Sequence, residues 1–266
     1  MASCGTRLAQ TDAPVDDAHF KAQVCRNCGA ARGTPHCGAC GQQAAARFGA
    51  QDVWLEFWQS RRWFEMPLLR AALRLLRAPG LVAREYVLGA RKRHVHPLKL
   101  LLFAVALLVL LLDRTGYLTQ GQTSLSAQMQ LISEWARWSF SLGLFAVLGA
   151  SLCTFGRQLG YNPVEHLVLA AYVQFVVIVL NLLNLLPLLA LDTVRWVPMW
   201  RAASVWYMTP IELGVVALAC QQFFRLRWWR DGWRIALAVL LSWLFKKALL
   251  FGYGRLIYRM AMSQAA

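Results

Sequence analysis

The chain has 266 residues, of which 58% are hydrophobic and only 15% charged, against roughly half apolar and a quarter charged in a soluble domain. That balance excludes an ordinary soluble globule and points to a protein dissolved in lipid. The formal net charge of +15 would suggest nucleic acid in a soluble protein. Here the basic residues crowd the ends of apolar runs, where they read as topology signals and lipid-headgroup contacts and argue against a nucleic-acid partner.

Residues 1–24 are polar, with Asp12, Asp16 and Asp17, and lack the apolar core of a secretory leader. They offer little surface to offset ordering entropy, so a disordered tail is expected, with insertion driven by internal helices. At 25–42 the composition changes to Cys and Gly. Cys25-x-x-Cys28 and Cys37-x-x-Cys40 are eight residues apart, and each pair is followed by glycine, Gly29 and Gly41. Two residues between thiols let one tight turn present both sulfurs, and four thiolates complete the tetrahedral shell of zinc. A zinc ribbon with Cys25, Cys28, Cys37 and Cys40 as ligands is therefore expected, the Zn2+ being structural because four thiolates leave no open position. Disulfides are the competing reading, which a reducing cytoplasm opposes; His36 is a poor substitute ligand with all four cysteines present. So small a fold takes its stability from the metal and suits a docking surface for a cytoplasmic protein partner. Cys4, Cys153 and Cys220 read as small packing residues.

Residues 52–97 form an amphipathic, basic juxtamembrane region. Pro67 suits the first turn of a helix that Pro79-Gly80 ends. Within it Arg70, Arg74 and Arg77 recur at helical spacing, with leucines on an adjoining face. Such a helix either lies in the membrane interface or packs against the bundle. The cluster Arg91, Lys92, Arg93 follows, directly before the first span. These six basic residues are the candidates for anionic headgroups, and a peptide covering residues 61–99 is expected to bind anionic liposomes in a salt-sensitive way.

Five apolar segments come next, at about 97–112, 138–155, 164–191, 204–224 and 233–253, each near the roughly 20 residues a bilayer core requires. Lys99 is expected to snorkel to the headgroups, and the long third segment to tilt or break near Pro187. The expected fold is thus an all-α polytopic membrane protein of about five transmembrane helices, 98–253, with a small N-terminal zinc ribbon and a C-terminal tail, 254–266. Lys and Arg crowd the flank before the first span and the loop between the fourth and fifth, which places the N-terminus in the cytoplasm.

Polar groups inside spans are costly and are functional candidates by default. His166, Gln174, Asn181 and Asn184 share one stripe of the third span, as interhelical hydrogen-bonding groups or as a polar path. Glu165 sits at the positive end of the same helix. Glu212 of the fourth span and Lys246 and Lys247 of the fifth lie at matched depth and are expected either to pair or to snorkel. A search for hydrolase, metalloprotease and phosphate-loop motifs finds none, and the dipeptide Glu165-His166 projects its side chains about 100° apart on a helix.

Several of these elements together resemble a family of uncharacterised bacterial membrane proteins with an N-terminal zinc ribbon, catalogued as a domain of unknown function of the DUF 3667 type. They are Cys25-Arg-Asn-Cys28-Gly29, His36-Cys37-Gly-Ala-Cys40-Gly41-Gln42, Arg77-Ala-Pro79-Gly80, Arg84-Glu85-Tyr86, Gly89-Ala-Arg91-Lys-Arg93, Pro97, and Asn162 with Glu165-His166. The resemblance spans about residues 25–170; the last two spans lack the family's aromatic-glycine segment. It implies this architecture in a bacterial inner membrane and carries no known activity. The sequence thus favours a scaffold or regulator whose ribbon docks a partner. A small transporter or channel subunit using the polar stripe is the alternative, and an intramembrane enzyme built on Glu165 and His166 the third; an oligomer remains open.

Overall fold

The computed structural model describes residues 15, 17–21, 23–49, 51, 68–117, 137–156, 158–191 and 193–263. All of 52–67, the start of the expected juxtamembrane region, and residues 1–14 of the tail expected at 1–24 lie outside them. The described chain is helical, with two isolated bridges, Val24 to Ala31 and His36 to Gln43, and no strand among these residues.

Within the stretch expected as a disordered tail, a short helix α1 (Asp17–Lys21) forms instead, because Phe20 finds a buried seat. Helix α2 (Leu68–Arg77) stops where Pro79 removes a backbone donor. The same proline then opens α3 (Pro79–Val87), whose interior is buried along nearly its whole length. A 3₁₀ turn at Arg91–Arg93 leads into α4 (Pro97–Thr115), which Gly116 ends with a left-handed cap. A second 3₁₀ segment, Arg137–Leu142, continues as α5 (Gly143–Phe155). Helix α6 (Pro163–Leu185) breaks into a 3₁₀ turn at Leu186–Leu189 around Pro187, as the sequence suggested. Helices α7 (Thr193–Phe223) and α8 (Trp228–Ser263) complete the described residues, so 254–263, expected as a tail, continue the last helix.

Among the described residues, four helices are long and apolar enough to cross a membrane: Arg91–Thr115, Pro163–Leu189, Arg195–Phe223 and Trp228–Met260. The second expected segment is a shorter apolar helix, Ser139–Phe155. Lys99 does not reach outward but is buried in the first turn of α4.

Helices α5, α6, α7 and α8 form a ring in which each packs on two neighbours, and α4 packs outside on α6. Helix α6 is the centre, buried on almost every side from Val168 to Ile178. Helix α3 packs against both α6 and α7 and closes one end of the ring. Its approach to α7 depends on Gly80, where a β-carbon would stand 2.2 Å from the Ala219 carbonyl oxygen and 2.7 Å from Gln222 Cβ. The Gln222 side chain also accepts from the Gly80 backbone N–H at 3.0 Å. Backbone cannot yield as a flexible side chain does, so Gly80→Ala is expected to cost about 2–3 kcal/mol. Denaturant unfolding of the detergent-solubilised protein checks this; a cost under about 0.5 kcal/mol would show that α3 shifts freely.

Candidate functional site

The four predicted cysteines come together. Their sulfurs all lie within 4.8 Å of one another, with Cys28 to Cys37 at 3.5 Å and Cys25 to Cys40 at 3.6 Å. All four are free thiols. A tetrahedral metal with bonds of about 2.3 Å requires sulfur–sulfur edges of about 3.8 Å, so the donor set fits such an ion. Local sequence explains the geometry. The Gly29 N–H bonds to Cys25 O at 2.8 Å and the Gly41 N–H to Cys37 O at 2.6 Å, closing two turns. Both glycines have positive φ, 83° and 65°, which only glycine adopts without strain.

The two turns are copies twelve residues apart. Cys25 N–H to Ala30 O repeats as Cys37 N–H to Gln42 O, and Arg32 N–H to Gln23 O repeats as Ala44 N–H to Pro35 O. The thiols influence one another strongly. Backbone donors from Cys40 and Ala39, acting against burial, draw Cys37 down to about 6. A backbone bond from Ala30 would lower Cys28, but burial and the neighbouring sulfurs push it up to about 12. Four thiols this close cannot all ionise without a cation between them.

The cysteine turns are fastened to the end of the helical ring. Gln42 donates to Gly89 O at 2.6 Å and accepts from the Lys92 N–H at 3.0 Å. The Lys92 ammonium donates to Cys40 O. Arg91 donates to Ala46 O and lies 3.6 Å from the centroid of the Phe48 ring. Phe48 stacks on Tyr86 at 5.6 Å, and its carbonyl accepts from Asn162 at 2.8 Å. Two of the basic residues assigned to headgroups, Arg91 and Lys92, thus contact the cysteine-bearing segment. Arg74 and Arg93 instead face Glu85, at 2.8 and 3.9 Å, beside His94 at 2.8 Å. Arg77 is exposed; the side chain of Arg70 lies outside the described residues.

Sequence reasoning missed Arg84, which counts among flanking charges by position but is wholly buried. It donates to Tyr161 OH at 2.7 Å and Phe223 O at 2.8 Å, joining α3 to the start of α6 and the end of α7. It also missed the capping box of α6, in which Asn162 and Glu165 exchange backbone hydrogen bonds at 2.9 and 2.7 Å. The Asn-x-x-Glu spacing ahead of an apolar run was the available signal.

The polar residues of α6 separate into distinct contacts. Glu165 faces Arg47 at 3.6 Å, while His166 meets Ser151 Oγ at 3.1 Å and Gly156 O at 2.8 Å; the pair shares no site. Gln174 donates to Phe140 O at 2.6 Å. Asn181 donates to Val177 O at 2.9 Å and to Glu212 at 3.3 Å. Asn184 accepts from Trp200 at 3.2 Å and from Tyr207. Lys246 forms an ion pair with Glu212, while Lys247 lies 6.0 Å from the centroid of the Trp243 ring.

These features define a class: a multi-helix protein with membrane-length apolar helices and a four-cysteine cluster able to hold a metal. The family model described as Protein of unknown function (DUF3667) matches residues 65–109, the family the sequence resembles. The match takes in α2, α3, the basic turn and most of α4, the stretch on which the cysteine segment rests. No curated protein and no solved structure matches the chain.

Proposed function

We propose that this is a non-enzymatic, multi-pass protein of the bacterial inner membrane, acting as a scaffold or regulator whose cytoplasmic zinc ribbon docks a protein partner. The carrying observation is the two-faced ribbon. One face is fastened to the basic turn at Gly89–Lys92, while residues 33–36, between the two cysteine pairs, are exposed. Four thiolates with Zn2+ between them form a closed structural site, which suits recognition rather than turnover.

A five-pass topology is consistent with the ring. Helices α4, α6 and α8 lead away from the ribbon end, and α5 and α7 return to it, α5 being joined to its 3₁₀ segment. At about 2.0 and 1.5 Å per residue, Arg137–Phe155 extends roughly 30 Å, close to a hydrocarbon core. The ribbon end also collects most of the basic residues, while Arg114, Arg255 and Arg259 lie toward the other end, and that balance supports a cytoplasmic N-terminus.

In-cell crosslinking and copurification test this reading, comparing wild type with Cys25→Ser/Cys28→Ser at matched membrane abundance. A partner set lost only in the variant is expected. An identical set in both would leave the ribbon a structural cap and end the docking reading.

A further inference from the structure

A cavity of about 280 Å³ lies inside the ring of α5 to α8, at the end away from the ribbon. It independently supports a site that the docking reading does not involve. Gln174 and Asn181 enter it from α6, Glu212 from α7, and Lys246 and Lys247 from α8. Polar groups converging from three helices within membrane-spanning segments are the form a binding site takes. The rest of the wall is largely apolar, including Val177, Met208, Trp243 and Leu250.

The charges have a sign. Glu212 is already engaged, one oxygen with Lys246 and the other with Asn181. Two ammonium groups against one carboxylate leave the cavity with a surplus positive charge. Lys246 has two further N–H donors beyond its bond to Glu212. Gly143 helps to make the space: a β-carbon there would stand 2.3 Å from Gln174 Oε1 and drive the amide from its seat.

We propose that this cavity binds a small organic anion carrying one negative charge on an apolar body, with Lys246 and Lys247 meeting the charge. The anion is either a solute or the headgroup and upper chain of an anionic lipid. Glu212 competes with it for Lys246 and so sets the affinity.

The full chain in phosphatidylcholine nanodiscs, titrated with octanoate by calorimetry, tests this. One saturable site is expected. Lys246→Gln should bind about tenfold more weakly, the loss of one charge-assisted hydrogen bond. Glu212→Gln should bind more tightly, because Lys246 is released. Opposite signs distinguish a binding site from damaged packing, which would weaken both. If Lys246→Gln fails to fold, Lys247→Gln takes its place. In a second arm, part of the phosphatidylcholine is replaced by phosphatidylglycerol. Loss of octanoate binding there, with one phosphatidylglycerol per chain kept in native mass spectra, identifies a lipid; unchanged octanoate binding identifies a solute. Neither saturable octanoate binding nor retained phosphatidylglycerol, or the same direction of change in Glu212→Gln and Lys246→Gln, overturns the proposal.

Discussion

Stripping the metal from the purified protein is expected to unfold residues 23–49 while leaving the helices intact. Beyond the cluster itself, the cysteine segment has few buried apolar side chains of its own, chiefly Ala45 and Phe48, and these rest on the helical end rather than on each other. Its two turns are short, and four thiolates within 4.8 Å of one another repel unless a cation lies between them. A structural zinc in such a setting contributes on the order of 10 kcal/mol at neutral pH, far more than the hydrogen bonds from Gln42 and Lys92 could replace. Elemental analysis should find one metal ion per chain as purified. After chelation, limited proteolysis should cut within 23–49, with far-UV circular dichroism nearly unchanged because most helix lies elsewhere. Cys37→Ser should reproduce the effect without chelator. Equal protease resistance with and without metal would remove the ion from the folding argument.

Glu85→Ala is expected to be the most damaging single change outside the cysteines, at about 3 kcal/mol. The carboxylate is buried and faces Arg74, Arg93 and His94, so its removal takes away a buried acceptor that three side chains share near the head of α4. Burial alone would raise the Glu85 carboxyl. The His94 hydrogen bond and the charges of His94, Arg74 and Arg93 outweigh it and hold the group below its ordinary 4.5. A depressed acid stabilises the fold when ionised. The difference between wild type and variant should therefore be full above about pH 4.5 and shrink as pH falls through the lowered value. Unfolding in detergent at stepped pH measures it; a difference that grows on acidification would reverse the assignment.

The cysteine cluster was legible because its chemistry is local: spacing and glycine set the turn, and the turn sets the sulfurs. Apolar runs marked the helices for the same reason, since burial in lipid leaves its mark residue by residue. The helix ends at Pro79 and Pro187 were legible too, because proline acts on its own backbone. What spacing could not give was contact over distance. Gln42 meets Gly89 and Lys92 across 47 and 50 residues, and nothing in either stretch announces the other. Arg84 shows the same limit. An arginine before an apolar run reads as a surface charge, and only Tyr161 and Phe223, far along the chain, turn it into a buried strut. The ion pair lay between these cases, since antiparallel helices of known ends bring Glu212 to the level of the lysines, but helical rotation chose Lys246.

Helix α3 closes the ring at the ribbon end, and none of its residues lines the cavity. The layer around Arg84 therefore stands between the cavity and the ribbon, so a ligand can enter or leave the cavity without disturbing the cysteine segment.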